Sequence, residues 1–225
     1  LRALARAEHA RCGGPGVGAV GMCFTGGYAL AMAADDVLLA PVLSQPSMPV
    51  GLTKAQRRSI DISPADLEIV KGRCARGLTV LGLRFESDKF VPAERFDFLR
   101  EQLGEAFVAV ELTDADANPE ALMPPHSVLT EHLIDEPGQP TRAALDQVLD
   151  LTRIDDAQPV HIPPHRVAGF GDPPVVVVAE ANCDPVESGN CFGHGLSGEI
   201  FAQRARRVSK NKHKSATFPP RIRHP

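Results

Sequence analysis

The sequence contains no run of about 18 apolar residues, the length that a membrane-spanning helix needs. Residues 1–11 carry charges throughout and lack the apolar stretch of a secretory signal peptide. The five cysteines are odd in number and widely spread, which is not the pattern of a disulfide framework. These absences predict a protein of the reducing cytoplasm, in which a free thiol can serve as a catalyst.

Charge is unevenly distributed along a chain of ordinary globular composition. Of the 225 residues, 43% are hydrophobic and 23% are charged, and the formal net charge is -4. Residues 202–225 contain eight of the 24 basic residues and no Asp or Glu. Such a stretch can bind nucleic acid by neutralising phosphates. Because it has no aromatic residue except Phe218 and no recognisable module, nucleic acid is the weaker alternative.

Strand and helix patterns alternate along the first two thirds of the chain. Short apolar segments typical of buried parallel strands occur at 16–20, 37–42, 78–85 and 107–112. Helical patterns occur at 1–12, 26–35, 92–104 and 141–153, and a further helix is predicted to start at Ser63. This alternation predicts an α/β fold with a parallel, doubly wound sheet.

The alternating pattern ends near residue 154. Residues 155–225 contain nine prolines and one apolar run, 175–179. We therefore predict a domain over 1–154 and an irregular, proline-rich, basic-ended tail over 155–225 that is disordered and removable without unfolding. Cys183, Cys191 and His194 lie in this tail. Their spacing is wider than in zinc sites and a fourth ligand is missing, so no metal site is predicted.

A candidate nucleophile lies between the first strand and the next helix. The segment Gly21-Met22-Cys23-Phe24-Thr25-Gly26-Gly27 places Cys23 on a strand-turn-helix connection. This is the context of a nucleophile elbow, with the pattern Gly-x-nucleophile-x-Gly. The sharp turn needs small residues around the nucleophile, although Thr25 replaces the usual final glycine. The alternative is a buried cysteine with a structural role.

A thiol is mostly protonated at neutral pH and needs a base. Triads in this type of sheet run nucleophile, acid, histidine along the chain. Asp88 follows the third predicted strand and His126 follows the fourth, so both match this order. Glu86 is an alternative acid. It lies two residues before Asp88, and on an extended segment the two side chains would point to the same side. His132 is an alternative base, although we expect it in a helix.

Taken together, these motifs resemble the dienelactone hydrolase family over residues 1–153. The elbow is close to that family's Gly-x-Cys-x-Gly-Gly, Asp88-Lys89-Phe90-Val91-Pro92 is similar to its acid segment, and His126-Ser127 to its histidine segment. The resemblance implies an α/β-hydrolase fold, a Cys23-Asp88-His126 triad and the Phe24 amide as oxyanion donor. It also implies hydrolysis of a small-molecule lactone or carboxylic ester without cofactor or metal.

Two departures from the family shape the expectations. In the family an N-terminal half precedes the nucleophile and supplies strands, a second oxyanion amide and much of the pocket. Because Cys23 comes early, we expect a partial α/β-hydrolase whose exposed sheet edge could self-associate. A catalytically impaired or non-catalytic fragment is therefore the alternative function. Secondly, 65 positions separate Cys23 from Asp88, which leaves 43–72 as a candidate cap segment.

Overall fold

A computed structural model gives the architecture of residues 1–153 and of one later strand, residues 175–180. Five strands of this described part form a single sheet in which every pairing is parallel. The strand order across the sheet is β4-β3-β2-β1-β5. The strands are β1 (Val17–Met22), β2 (Leu38–Ser44), β3 (Val80–Phe85), β4 (Phe107–Leu112) and β5 (Val175–Glu180).

Helices connect these strands, as the alternating sequence pattern predicts. They are α1 (Arg2–Cys12), α2 (Gly26–Met32), α3 (Lys54–Arg57), α4 (Pro64–Cys74), α5 (Ala93–Leu103) and α6 (Pro140–Leu151). The predicted start at Ser63 is confirmed, since its hydroxyl accepts a hydrogen bond from the Asp66 amide at 3.1 Å and caps α4. Among residues 1–153, no helix is long and apolar enough to cross a membrane.

Both faces of the sheet are covered. Side chains alternate between faces along a strand, and Val17 and Ala19 of β1 join the main apolar core with residues of α2, α4 and α5. Gly18 points the other way, where an added Cβ would lie 3.2 Å from a methyl of Thr152, just after α6. The α/β prediction is therefore confirmed, with helices packed on the two faces of a parallel sheet.

The predicted tail differs from the structure at one segment. Residues 175–180 form β5, which pairs with β1 over its whole length from Val17↔Val175 to Met22↔Glu180. The expectation of irregular structure is wrong for these six residues, and so is the expectation that β1 is a sheet edge. The rest of the predicted tail lies outside the described residues, including the cysteines at 183 and 191, His194 and the basic stretch.

Candidate active site

The candidate site lies at the carboxyl edge of the sheet. In a parallel sheet all strands end at the same edge, so residues that follow different strands can meet there. Cys23 follows β1, Ser47 lies three residues beyond β2, Asp88 follows β3, and His126 lies in the long connection after β4. The topology therefore gathers side chains that are more than 100 positions apart in the sequence.

Cys23 occupies a sharp turn between β1 and α2. Its φ angle is 52°, in the left-handed region that non-glycine residues seldom adopt. A Cβ on Gly21 would collide with the Thr25 carbonyl oxygen, and a Cβ on Gly26 would lie 2.5 Å from the Cα of Pro46. The elbow geometry predicted from the small residues of this segment is thus present.

Thr25, the departure from the glycine pattern, closes the turn through its hydroxyl. Its Oγ1 donates to the carbonyl of Met22 at 2.9 Å and accepts from the Met22 amide at 3.1 Å. A glycine could make neither bond. The threonine therefore fastens the residue directly before Cys23, which stabilises the strained backbone at that position.

Asp88 and His126 are in direct contact, as predicted. His126 Nδ1 donates to Asp88 Oδ2 at 2.7 Å, and the other carboxylate oxygen accepts from the Phe90 amide at 2.9 Å. Asp88 is buried, so its charge is held in a fixed position away from water. Glu86, the alternative acid, is exposed, and its backbone amide donates to the Leu112 carbonyl. Of the two candidate acids, the structure therefore places Asp88 in contact with His126.

His132, the alternative base, lies in a turn, and the helix expected there is not found. Its Nδ1 accepts from the Ser127 amide at 3.1 Å, which requires the proton on Nε2, and Nε2 donates to the Met123 carbonyl at 3.0 Å. Both ring nitrogens are therefore used within its own loop. Buried His132 holds the segment that carries His126 and has no nitrogen left to act as a base.

Three groups act on the Cys23 thiol. The Oγ of Ser47 lies 3.4 Å from Sγ, and hydrogen bonding from the His126 ring and from the backbone amide of Phe24, the predicted oxyanion donor, lowers the pKa of the thiol. Since Nδ1 of His126 is engaged by Asp88, the ring nitrogen available to the thiol is Nε2.

Ser47 is the site residue that the sequence did not reveal. Its backbone amide donates to the Cys23 carbonyl at 3.0 Å, so it contacts Cys23 through both backbone and side chain. It lies in the irregular stretch after β2, for which the sequence suggests only a cap segment. Its one signal was position, since it follows a strand whose carboxyl end lies beside that of β1.

The environment favours a thiolate–imidazolium pair. Burial alone would raise the pKa of Cys23, but hydrogen bonds from His126 and Ser47, the imidazolium charge and the Phe24 amide together lower it. Burial alone would lower the pKa of His126, but hydrogen bonds with Asp88 and Cys23 and their negative charges raise it to about 9. Each group thus stabilises the charged form of its partner.

The other described thiols lack this environment. Cys74 is partly buried without a base, and burial raises its pKa to about 11. Cys12 is exposed at the end of α1. Cys23, by contrast, has a lowered pKa, as expected for a reactive thiol.

A buried arginine holds the segment that carries Ser47. Arg95 of α5 is fully buried and donates to five backbone carbonyls. These carbonyls belong to Pro46, Pro49, Gln56, Ser59 and Phe90. One guanidinium therefore joins the stretch after β2 to α5 and to the turn after Asp88. Burial lowers the pKa of Arg95 to about 10, with Asp88 acting in the opposite direction, so the group stays a cation at neutral pH.

Within residues 1–153, no group of three or more His, Cys, Asp or Glu side chains is arranged to hold a metal ion. What the arrangement offers is a nucleophilic sulfur, a proton-carrying imidazole and an amide donor around one point.

Comparison with known proteins gives no match, whether with family models, curated proteins or solved structures.

Proposed function

We propose that this protein is a carboxylic ester or lactone hydrolase that acts through an acyl-thioester on Cys23. The observation that carries the proposal is a thiol of lowered pKa, on a strained turn, hydrogen-bonded to a histidine that a buried carboxylate fixes. This is the arrangement of an activated nucleophile, its base and the group that orients the base. An α/β-hydrolase fold resembling that of the dienelactone hydrolase family is part of the proposal.

The first half of the reaction uses the ion pair as it stands. The Cys23 thiolate attacks the carbonyl carbon, and the Phe24 amide donates to the oxygen that becomes negative. As the bond to the leaving oxygen breaks, the imidazolium of His126 transfers its proton to that oxygen. The products are a free hydroxyl group and an acyl-thioester with a neutral His126.

The second half depends on the altered charge of the site. In the thioester the sulfur is no longer negative, so one cause of the raised His126 pKa is gone. The pKa of His126 is then lower and the ring persists in its neutral form, so Nε2 can accept a proton from water as the water attacks the thioester. Collapse of the adduct releases the carboxylic acid and restores the thiolate beside imidazolium.

All groups in this scheme belong to the chain, so the proposal includes no cofactor. It also includes a cytoplasmic location, because reduced thiols persist in a reducing compartment.

The test is hydrolysis of p-nitrophenyl acetate by the full chain, with mass spectrometry of the quenched enzyme. We expect turnover and an acetyl group on the peptide that contains Cys23. Cys23→Ala should lose both, whereas Cys12→Ala, which removes an exposed thiol outside the site, should keep both. Full activity in Cys23→Ala would overturn the proposal.

A further inference from the structure

Most of the exposed large hydrophobic side chains lie in the connections that also carry the candidate site residues. Nine are exposed among the described residues, and six of these belong to the segments that carry Cys23, Ser47, Asp88 and His126. We call these six the apolar rim: Phe24, Val50, Leu52, Phe90, Leu122 and Met123. The remaining three lie on α1 or just before it and on α4. Clustered apolar exposure of this kind marks a binding surface more often than isolated exposure does.

Two members of the apolar rim adjoin the reacting groups directly. The ring of Phe90 meets the ring of His126 edge to face, with centroids 5.5 Å apart, and its side chain is 59% exposed. Phe24 follows Cys23 in the chain and is 40% exposed. A molecule whose carbonyl reaches Cys23 beside His126 therefore meets the exposed ring of Phe90.

The other members are held near the site by backbone contacts. The Pro49 carbonyl is bound by Arg95, and a Cβ on Gly51 would lie 3.6 Å from Cγ of Pro92, so the segment with Val50 and Leu52 lies against the start of α5. Pro92 is two residues beyond Phe90. On the other side, the contact of His132 with the Met123 carbonyl fixes the pair of residues 122 and 123 in the His126 loop.

The arginines in these segments are already occupied. Arg95 is buried among carbonyls, Arg57 pairs with Glu94 at 2.9 Å, and Arg84 pairs with Glu111 at 2.6 Å. Lys89, between Asp88 and Phe90, is exposed. Each of these three arginines therefore already has a partner within the protein, whereas apolar surface is exposed in the same segments.

We infer that the apolar rim binds the alcohol part of an uncharged, apolar ester. This rests on the proposed function and assigns its substrate class. The alcohol part is chosen because His126 protonates the leaving oxygen, and Phe90 is the apolar side chain packed on His126. An apolar chain leaving from that oxygen covers the exposed face of Phe90 and so removes apolar surface from water.

The test compares alkyl acetates, whose leaving groups differ in length and hardly at all in basicity. We expect kcat/KM to rise by about 10-fold from ethyl to hexyl acetate, less than four fully buried methylenes would give because the rim stays partly open to water. A matched anionic probe is 6-acetoxyhexanoate, which adds a carboxylate to the same chain. Its kcat/KM should fall to that of ethyl acetate or below.

Single substitutions show which side chain causes the preference for the longer alkyl chain. Phe90→Ala should bring the ratio of kcat/KM for hexyl acetate to kcat/KM for ethyl acetate close to one. A change in His126 that affects both esters equally cancels in this ratio. Ile69→Ala removes an exposed apolar side chain on α4 and should leave the ratio unchanged. If 6-acetoxyhexanoate were preferred, and Lys89→Ala removed that preference, an anionic substrate would replace the apolar one.

Failure of this inference is distinguishable from failure of the proposed function. Equal kcat/KM for all alkyl acetates, with acetyl transfer to Cys23 intact, overturns the substrate class alone. Absence of turnover for every ester, with no acetyl group on Cys23, overturns the hydrolase proposal and the inference with it.

Discussion

Cys23 combines backbone strain with a stabilised negative charge. A φ angle of 52° costs free energy in any residue with a Cβ, and it is maintained here by the Thr25 hydroxyl and the Ser47 amide. The benefit is exposure of the sulfur to an imidazole, a hydroxyl and an amide at once. At this residue backbone strain accompanies an environment that lowers the pKa of the thiol.

The pH dependence of Cys23 alkylation should show whether the Cys23 thiolate pairs with the His126 imidazolium. The pKa of Cys23 is lowered from its ordinary value, so iodoacetamide should modify Cys23 at pH values where an ordinary thiol is protonated and slow. His126→Gln removes the largest influence that lowers the pKa of Cys23 and leaves the effect of burial, so the apparent pKa of Cys23 should rise. The measurement is the rate of carbamidomethylation of each cysteine-containing peptide against pH, by mass spectrometry.

Cys74 provides an internal reference in the same samples. With a pKa of about 11, it should react little below pH 10 in both proteins. Identical pH profiles for Cys23 in the parent chain and in His126→Gln would show that the imidazole does not stabilise the thiolate.

Ser47 should contribute to thiolate stability through its hydroxyl. An ionised sulfur can only accept, so the Ser47 Oγ at 3.4 Å must donate. Hydrogen bonds to charged groups contribute about 1.5–3 kcal/mol, so Ser47→Ala should reduce the alkylation rate and ester turnover at pH 7 by about 10-fold.

The control for Ser47→Ala is Ser63→Ala, which removes a hydroxyl that caps α4 outside the site. It should cost about 1 kcal/mol of folding free energy and leave turnover unchanged. A loss of stability without loss of turnover in Ser47→Ala would assign Ser47 a purely structural role.

At the scale of elements, buried polar side chains hold the irregular connections. Arg95 fastens the stretch after β2, and His132 fastens the loop after β4. Gln45, buried at the end of β2, accepts from the Val128 amide at 3.4 Å and so links the two connections. Because these segments lack the repeating bonds of helices and strands, such side chains must satisfy their backbone groups.

Replacement of Arg95 should loosen the site as well as the fold. Arg95→Met keeps much of the side-chain volume but leaves buried carbonyls without donors, each costing about 1–3 kcal/mol. We expect the free energy of unfolding in urea to fall by about 3 kcal/mol or more, and the Cys23 alkylation profile to shift towards higher pH because Ser47 is released.

Arg100→Met is the matched comparison. Arg100 is a more exposed arginine that pairs with Asp97 and Glu111, and its loss should change stability by less than about 1 kcal/mol. Equal effects of the two substitutions would mean that the carbonyl contacts of Arg95 are replaced by water without cost.

The gathering of Cys23, Asp88 and His126 at one edge of the sheet was predictable because each residue follows a strand in a local pattern that the sequence displays. Small residues around Cys23 indicate the elbow, and the order of Asp88 and His126 after later strands indicates their convergence. Ser47 and Arg95 carry no such pattern. Their roles depend on how an irregular stretch folds back across α5, and this is decided by tertiary contacts between residues up to 49 positions apart.

At the scale of the whole molecule, the sheet places β1 between two parallel neighbours. The pairing with β2 follows from the adjacent strand pattern in the sequence. The pairing with β5 did not follow, because the apolar run at 175–179 is isolated among prolines and has no helical partner pattern beside it. Whether a short apolar run forms a strand depends on the neighbouring strand with which it pairs. The proline-rich composition around this run therefore predicts an irregular tail.

Removal of residues 154–225 should therefore destabilise the domain, in contrast to what the sequence predicted. A chain ending at residue 153 leaves one side of β1 without the ladder that now runs from Val17 to Met22. Each lost backbone hydrogen bond is worth about 0.5–1.5 kcal/mol net, partly offset by the entropy of ordering β5, so a loss of about 3 kcal/mol is expected.

For a domain of this size that free energy corresponds to a fall in Tm of about 6–12 °C. Since β1 leads directly into Cys23, the truncated chain should also alkylate at higher pH. The comparison is a chain ending at residue 182, which retains β5 and should melt close to the full chain. If the chains ending at 153 and 182 melt together, the boundary near residue 154 that the sequence predicts is the true edge of the cooperative unit. If only the shorter chain melts early, the cooperative unit extends through β5.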